Sequence, residues 1–198
     1  MHLVVVHGIL DQTMTQLTHS HADPAPTLKA AAPVAVVALV SALCIVVAMI
    51  ILDGADKIRS IIGIGIGAFL VLLVPLTHRS QNCSEDSVRI YAKLGLPNAI
   101  SISRGSVLAL LCGLLLVRDP NSLGWAPAIV YTVAIVADYF DGFTARRTGR
   151  TTVLGATLDV EYDSFGVLQA SVFAVRLGVA GEWFLLVGLA RYLFIVGM

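Results

Sequence analysis

Charge is what this sequence has least of. Of its 198 residues, 13% are Asp, Glu, Lys or Arg, and they balance, 13 basic against 13 acidic. A soluble domain carries about 25% charge, so roughly half of what a water-facing surface needs is missing. Net neutrality excludes a nucleic-acid partner held through a basic surface. Cysteine is scarce as well: Cys44, Cys83 and Cys112 form no CxxC spacing, so reduced thiols are expected and a disulfide framework is not. The first 28 residues hold no Lys or Arg, and the first long apolar run begins only near Pro33, which is not the pattern of a cleavable signal peptide. Hydrocarbon is abundant instead: 57% of residues are hydrophobic and mean hydropathy is +0.86. The expected fold is all-α, a polytopic transmembrane bundle of about six spanning helices.

Residues 1–32 read as a polar tail, with a strand-like MHLVVVHGIL and a turn-rich HSHADPAP. His19, His21 and Asp23 lack a zinc-type spacing and are read as solvated. Residues 33–77 supply two spans. Pro33–Leu52 is 20 residues without a charge, and a second helix is expected from about Ser60 to Thr77. In the second, Gly63 and Gly67 read as a close helix-packing face, because the spacing is not GxGxxG and no strand precedes it. Residues 78–98 form a polar connection, in which Val88, Ile90, Tyr91 and Leu94 could make a short interfacial helix. Residues 99–198 hold four more helices: Ala99 to Val117, Trp125 through Asp141 and beyond, Leu154 to Gly178 and Trp183 to Met198. The first two of these four are joined by a few residues. Eight basic residues fall on the side of the amino terminus (Lys29, Arg79, Arg89, Lys93, Arg104, Arg146, Arg147, Arg150) and four on the other (Lys57, Arg59, Arg118, Arg176). The positive-inside rule then puts the amino terminus and the fourth-to-fifth connection in the cytoplasm. Arg191, within the last helix, either snorkels or faces a polar interior.

Five of the 13 acidic residues crowd into one stretch, Asp138 to Asp163. Carboxylates in a membrane helix cost several kcal/mol unless paired, wet or metal-bound. At 100° per residue, Asp138, Asp141, Gly142 and Ala145 share one face of the fourth helix, with Arg146 at its edge. Gly155, Asp159 and Asp163, four apart, form a stripe on the fifth. Packed as an antiparallel pair, the two helices would bring four carboxylates together at their ends. Such a group needs a counter-charge, and oxygen ligands suit Mg²⁺, Mn²⁺ or Ca²⁺ better than zinc. Small residues would let a bulky ligand approach, and Arg146, Arg147 and Arg150 would meet phosphate oxygens. The pattern is that of diphosphate chemistry at a membrane surface.

The same residues resemble the signature of the CDP-alcohol phosphotransferases, D-x2-D-G-x2-A-R-x8-G-x3-D-x3-D. Asp138, Asp141, Gly142, Ala145, Arg146, Gly155, Asp159 and Asp163 match it at every position and spacing. Upstream, GLPNAISISR, with Pro97, Asn98 and Arg104, is similar to the segment that opens the family's first core helix. The resemblance covers roughly residues 95–198.

It implies that Asp138, Asp141, Asp159 and Asp163 are metal ligands, with Asp163 also the general base. It implies that Gly142, Arg146 and Thr152 lie against the nucleotide and diphosphate, that Ala145 and Gly155 give room, and that Asn98 belongs to the nucleotide pocket. The cofactor is then Mg²⁺ or Mn²⁺, as two ions. The substrates are a CDP-alcohol lipid such as CDP-diacylglycerol and an acceptor alcohol, small or lipid, and CMP leaves. A homodimer among membrane lipids is implied too, with the site at the cytoplasmic face. Only 35 residues follow Asp163, fewer than the family core needs, so a C-terminally truncated core is expected. The competing readings are an inactive fragment of the enzyme, a divalent-cation transporter or structural membrane subunit, and an Asp-rich prenyltransferase. The prenyltransferase lacks the D-G-x2-A-R continuation. The transporter should hold its carboxylates at the bilayer midplane, and here they are expected at helix ends.

Overall fold

The computed structural model describes residues 28–83, 95–148 and 151–197, apart from the side chains of 28–34, 141, 145, 146, 148 and 196. The strand-like segment at 1–10, the histidines of the tail and the interfacial helix expected near 88–94 lie outside the described residues. The chain divides into Met1–Ala31 and a second unit, Ala32–Met198, which contains everything discussed below. The described helices are α1 (Leu28–Ile51, of which the second unit holds the part from Ala32 on), α2 (Gly54–Thr77), α3 (Leu96–Leu115), α4 (Ala126–Thr148), α5 (Val153–Arg176) and α6 (Leu185–Val196). Short 3₁₀ turns at Arg79–Gln81, Pro120–Leu123 and Glu182–Phe184 join some of them.

The fold is the all-α bundle that composition demands. Among the described residues, three helices are long and apolar enough to cross a membrane: Gly54–Thr77, Leu96–Leu115 and Ala126–Thr144. The outer faces are hydrocarbon, with Leu43, Ile50, Phe69, Leu76, Ile129 and Phe194 all exposed. The polar residues Asn98, Arg104, Thr152 and Gln169 are buried. Apolar outside and polar within is the distribution that lipid selects.

Helix α3 is the axis. It is buried along most of its length, and α2, α4 and α5 all pack on it, while α6 packs on α5. Its serines do not leave hydroxyls bare in the interior. Ser101 donates to the Pro97 carbonyl at 3.2 Å and Ser103 to the Ala99 carbonyl at 2.8 Å. The α2–α3 seam is made by glycine. A Cβ at Gly67 would stand 2.8 Å from the Ala109 Cα, and one at Gly63 would stand 2.8 Å from the Gly113 Cα. These are the two positions whose spacing marks a packing face. Gly65, between them, would meet nothing within 4 Å among the described residues.

Pro75 lies inside α2. Having no N–H, it leaves the Val71 carbonyl without its helical donor. The Tyr162 hydroxyl of α5 takes that place at 2.9 Å, so one helix repairs the hydrogen bonding of another. At the opposite end, Arg176 reaches from α5 to the end of α3. It donates to the carbonyls of Leu115, of Val117 (2.9 Å) and of Arg118 (3.3 Å).

Three details differ from the sequence reading. Helix α2 starts at Gly54 rather than near Ser60, taking in Asp56, Lys57 and Arg59, because an acidic first turn is a good helix start. The α3–α4 connection, 116–125, is longer than a few residues and carries its own 3₁₀ turn, capped where Asp119 accepts from the Asn121 N–H at 3.0 Å. Finally, α4 and α5 barely touch each other, since both lean on α3. Cys44, Cys83 and Cys112 are free thiols, and Arg191 faces its neighbour α5, where it pairs with Glu161 at 2.7 Å and donates to Ser164 at 2.8 Å.

Candidate functional site

Two polar layers line the end of the bundle where α2 meets α3 and α4 turns into α5. The outer layer is a hydrogen-bonded relay. Thr152 caps α5, accepting from the Gly155 N–H at 2.9 Å, and its own hydroxyl donates to Asn98 at 3.1 Å. Asn98 in turn donates to Asn82 at 3.3 Å. Gln81 accepts from Thr157 at 2.8 Å, and the Val153 N–H donates to the Cys83 carbonyl at 3.1 Å. The start of α5 is thereby stitched to the α2–α3 connection. A Cβ at Gly155 would come within 3.0 Å of the Asn98 amide oxygen and 3.1 Å of the Thr152 hydroxyl. The room this glycine leaves is occupied by those two side chains.

The inner layer is charged. Asp138 of α4 and Asp159 and Asp163 of α5 each offer one carboxylate oxygen, and all three oxygens lie within 4.8 Å of one another. The guanidinium of Arg104, from α3, sits beneath them. Its Nη1 pairs with Asp138 and stands 3.2 Å from Asp163 Oδ1. Its Nη2 is 3.5 Å from Asp159 Oδ1 and donates to the Asp159 carbonyl at 3.2 Å. The Tyr162 ring lies 5.9 Å from the guanidinium carbon. The Arg104 side chain is 3% exposed, whereas that of Asp163 is 60% exposed. The cation is therefore sealed in, and the carboxylates face outward to whatever approaches.

The two acidic stripes meet, but not by direct pairing of α4 with α5. Helix α3 spaces them apart, leaving a cavity of about 280 Å³ between them. Its polar end is Arg104, Asp138 and Asp163, and its walls include Leu108, Ile135 and Val167. The cluster is also deeper than the helix ends where the sequence reading puts it. Asp163 is ten residues beyond Val153, the start of α5, about 15 Å along the helix at ~1.5 Å per residue. The reason is that α4 stays helical to Thr148, well past the acidic motif.

Of the remaining expected residues, Gly142 is half-buried in α4. Asp141, Ala145 and Arg146 belong to the same helix, but their side chains, and all of Arg150, lie outside the described residues. Arg147 is exposed, with its guanidinium 5.8 Å from the centre of the Phe143 ring. Sequence reasoning counts Arg104 as a topological charge and as part of the family-like GLPNAISISR segment, but does not place it under the cluster. The available signal was an arginine inside an otherwise apolar run, which requires a partner.

The donor set fits a hard divalent cation: three carboxylates, all oxygen, converging from two helices on an accessible side. Comparison with known proteins agrees with that chemistry. The family model for CDP-alcohol phosphatidyltransferase matches residues 94–198. Similar relatives are named CDP-diacylglycerol–glycerol-3-phosphate 3-phosphatidyltransferase. They include those of Sodalis glossinidius, 47% identical over 55 residues, Pectobacterium atrosepticum, 44% identical over 55 residues, and Escherichia coli K12, 42% identical over 55 residues. Each match covers 26% of this chain and 30% of the relative, so the chain spans under a third of the length of the curated relatives it matches. No solved structure matches the chain significantly. The family match takes in α3 through α6, every helix that builds the carboxylate cluster, and it extends over more than half of the sequence. On that ground the chain belongs to the CDP-alcohol phosphatidyltransferase family.

Proposed function

We propose that this integral membrane protein moves a phosphatidyl group from CDP-diacylglycerol to the hydroxyl of glycerol 3-phosphate and releases CMP. The observation that carries the reading is the convergence of Asp138, Asp159 and Asp163 within 4.8 Å at the mouth of a cavity with apolar walls. Those three residues stand at three of the family's signature positions. The acceptor is taken from the names of the relatives. The acidic cluster's mid-helix depth no longer separates an enzyme from a cation transporter; family membership makes that distinction instead.

In the proposed reaction, the acceptor oxygen bonds to the phosphorus next to the diacylglycerol. The bond from that phosphorus to the oxygen bridging to CMP breaks, and CMP departs with that oxygen. Asp163 takes the hydroxyl proton on its carboxylate. Asp138, Asp141, Asp159 and Asp163 would hold the divalent cation, Mg²⁺ or Mn²⁺, as two ions. When bound, the cation supplies positive charge to the diphosphate oxygens. Gly142, Arg146 and Thr152 would line the nucleotide side, with Ala145 giving room there and Asn98 orienting Thr152. The apolar walls of the cavity suit the acyl part of the donor. Residues 99–198 would form the catalytic core, backed by the helices of 33–77, with the site at the cytoplasmic face and the protein working as a homodimer.

The test is CMP release from CDP-diacylglycerol by the purified full-length protein, against a panel of acceptor alcohols, with Mg²⁺, Mn²⁺ or EDTA. Release that needs both a divalent cation and glycerol 3-phosphate is expected. Release with a different acceptor would correct the acceptor alone, and no release with any acceptor would overturn the reading.

A further inference from the structure

We propose that Arg104 is an internal counter-cation of the acidic cluster: it holds Asp138, Asp159 and Asp163 together before a divalent cation binds, and it competes with that cation for the same oxygens. This rests on the reading of the cluster as a divalent-cation site. Three carboxylates within 4.8 Å repel one another and cannot all stay ionised without a positive partner. Arg104 is that partner, with side-chain contacts to all three. The dependence runs the other way too. A guanidinium does not relieve its burial by losing a proton, and a buried charge must be paired.

Two further features make the arrangement exchangeable. The Arg104 Nε is buried and has no hydrogen-bond partner among the described residues, so the side chain is held mainly through its tip. The tip also has contacts that are not carboxylates: the Asp159 carbonyl at 3.2 Å and the face of Tyr162. When carboxylate oxygens turn toward an incoming cation, Arg104 keeps these. Arg104 is thus a positioning residue, acting on the reaction through the carboxylates.

The experiment uses the full-length protein in detergent, with Mn²⁺ binding followed by the electron paramagnetic resonance of free Mn²⁺ and thermal unfolding recorded in EDTA and in saturating Mn²⁺. Removing the charge in Arg104→Gln should tighten Mn²⁺ binding about tenfold or more, because a like charge a few ångströms from the ion is lost. In EDTA the variant should unfold at a lower temperature than the unaltered protein, and Mn²⁺ should close the gap. Arg104→Lys keeps the charge but not the fork; its Mn²⁺ affinity should stay near that of the unaltered protein while its stability in EDTA falls. Equal or weaker Mn²⁺ binding by Arg104→Gln, or a stability gap of the same size in EDTA and Mn²⁺, would make Arg104 a purely structural residue. Arg104→Gln that folds only when Mn²⁺ is supplied supports the proposal; failure to fold even then overturns it. No Mn²⁺ binding by the unaltered protein or either variant would instead remove the cation site itself.

Discussion

Helix α3 meets two arginine forks, a buried one midway along it and a half-buried one at its C-terminal end, and the two are held by different kinds of oxygen. At the C-terminal end, Arg176 donates to backbone carbonyls of 115, 117 and 118. Those oxygens are fixed by the helix end that presents them, and the guanidinium complements the negative pole of the dipole. Midway along the helix, Arg104 is held by carboxylates on α4 and α5, side chains that can rotate and whose oxygens suit other cations. The same residue type closes a helix in one place and pairs with a carboxylate cluster in the other. Fixed carbonyl partners make a permanent contact, and rotatable carboxylate partners make an exchangeable one.

The comparison can be broken most severely at the reactive end. Asp163→Asn keeps the size of the side chain but removes its capacity to take a proton. CMP release should fall by about 10²- to 10⁴-fold, with CDP-lipid binding partly retained by equilibrium dialysis. Lost binding with normal turnover per bound complex would contradict the role. Next in size is the seam that positions α3. Gly67→Leu drives a side chain into Ala109 and should cost about 1–3 kcal/mol or more in unfolding free energy by overpacking. Gly65→Ala, into open space, should be neutral or slightly stabilising, and equal losses at both positions would refute the seam.

Arg176→Ala sharpens the contrast directly. Leaving carbonyls unpaired should cost about 1–3 kcal/mol, by the same amount in EDTA and in Mn²⁺, unlike the change at Arg104. The smallest effect is expected from Tyr162→Phe, which gives up the bond to Val71 for about 1 kcal/mol. In a Pro75→Ala background, where Val71 recovers a helical donor, that cost should shrink. A double-mutant cycle in thermal unfolding measures the difference.

Much of this architecture is legible from local pattern. Uncharged runs mark the helices because lipid tolerates little else, and Gly63 and Gly67 announce their seam because only glycine lets two backbones come so close. The stripe Asp159–Asp163 and the face of Asp138 follow from the helical period. What local pattern does not carry is the partner across space. Helix α3 is apolar on most sides, so its periodicity does not say that it separates α4 from α5. Arg104 lies 34 residues before Asp138 in sequence, and no spacing rule connects them. The depth of the cluster is not carried by local pattern either: α4 runs on through the polar TARRT segment to Thr148, which leaves Asp138 well inside the helix.

The proline in α2 reaches further than its own helix. Residues 94–198 carry the family signature, yet Tyr162, adjacent to Asp163, finds its acceptor at Val71, outside that stretch. Excised and grafted elsewhere, the signature segment would arrive with a phenol lacking its acceptor, and with Ala109 and Gly113 stripped of the α2 glycines that pack on them. The carboxylate-bearing segment is therefore not a portable cassette, and α2, the helix ahead of it, belongs to its wiring.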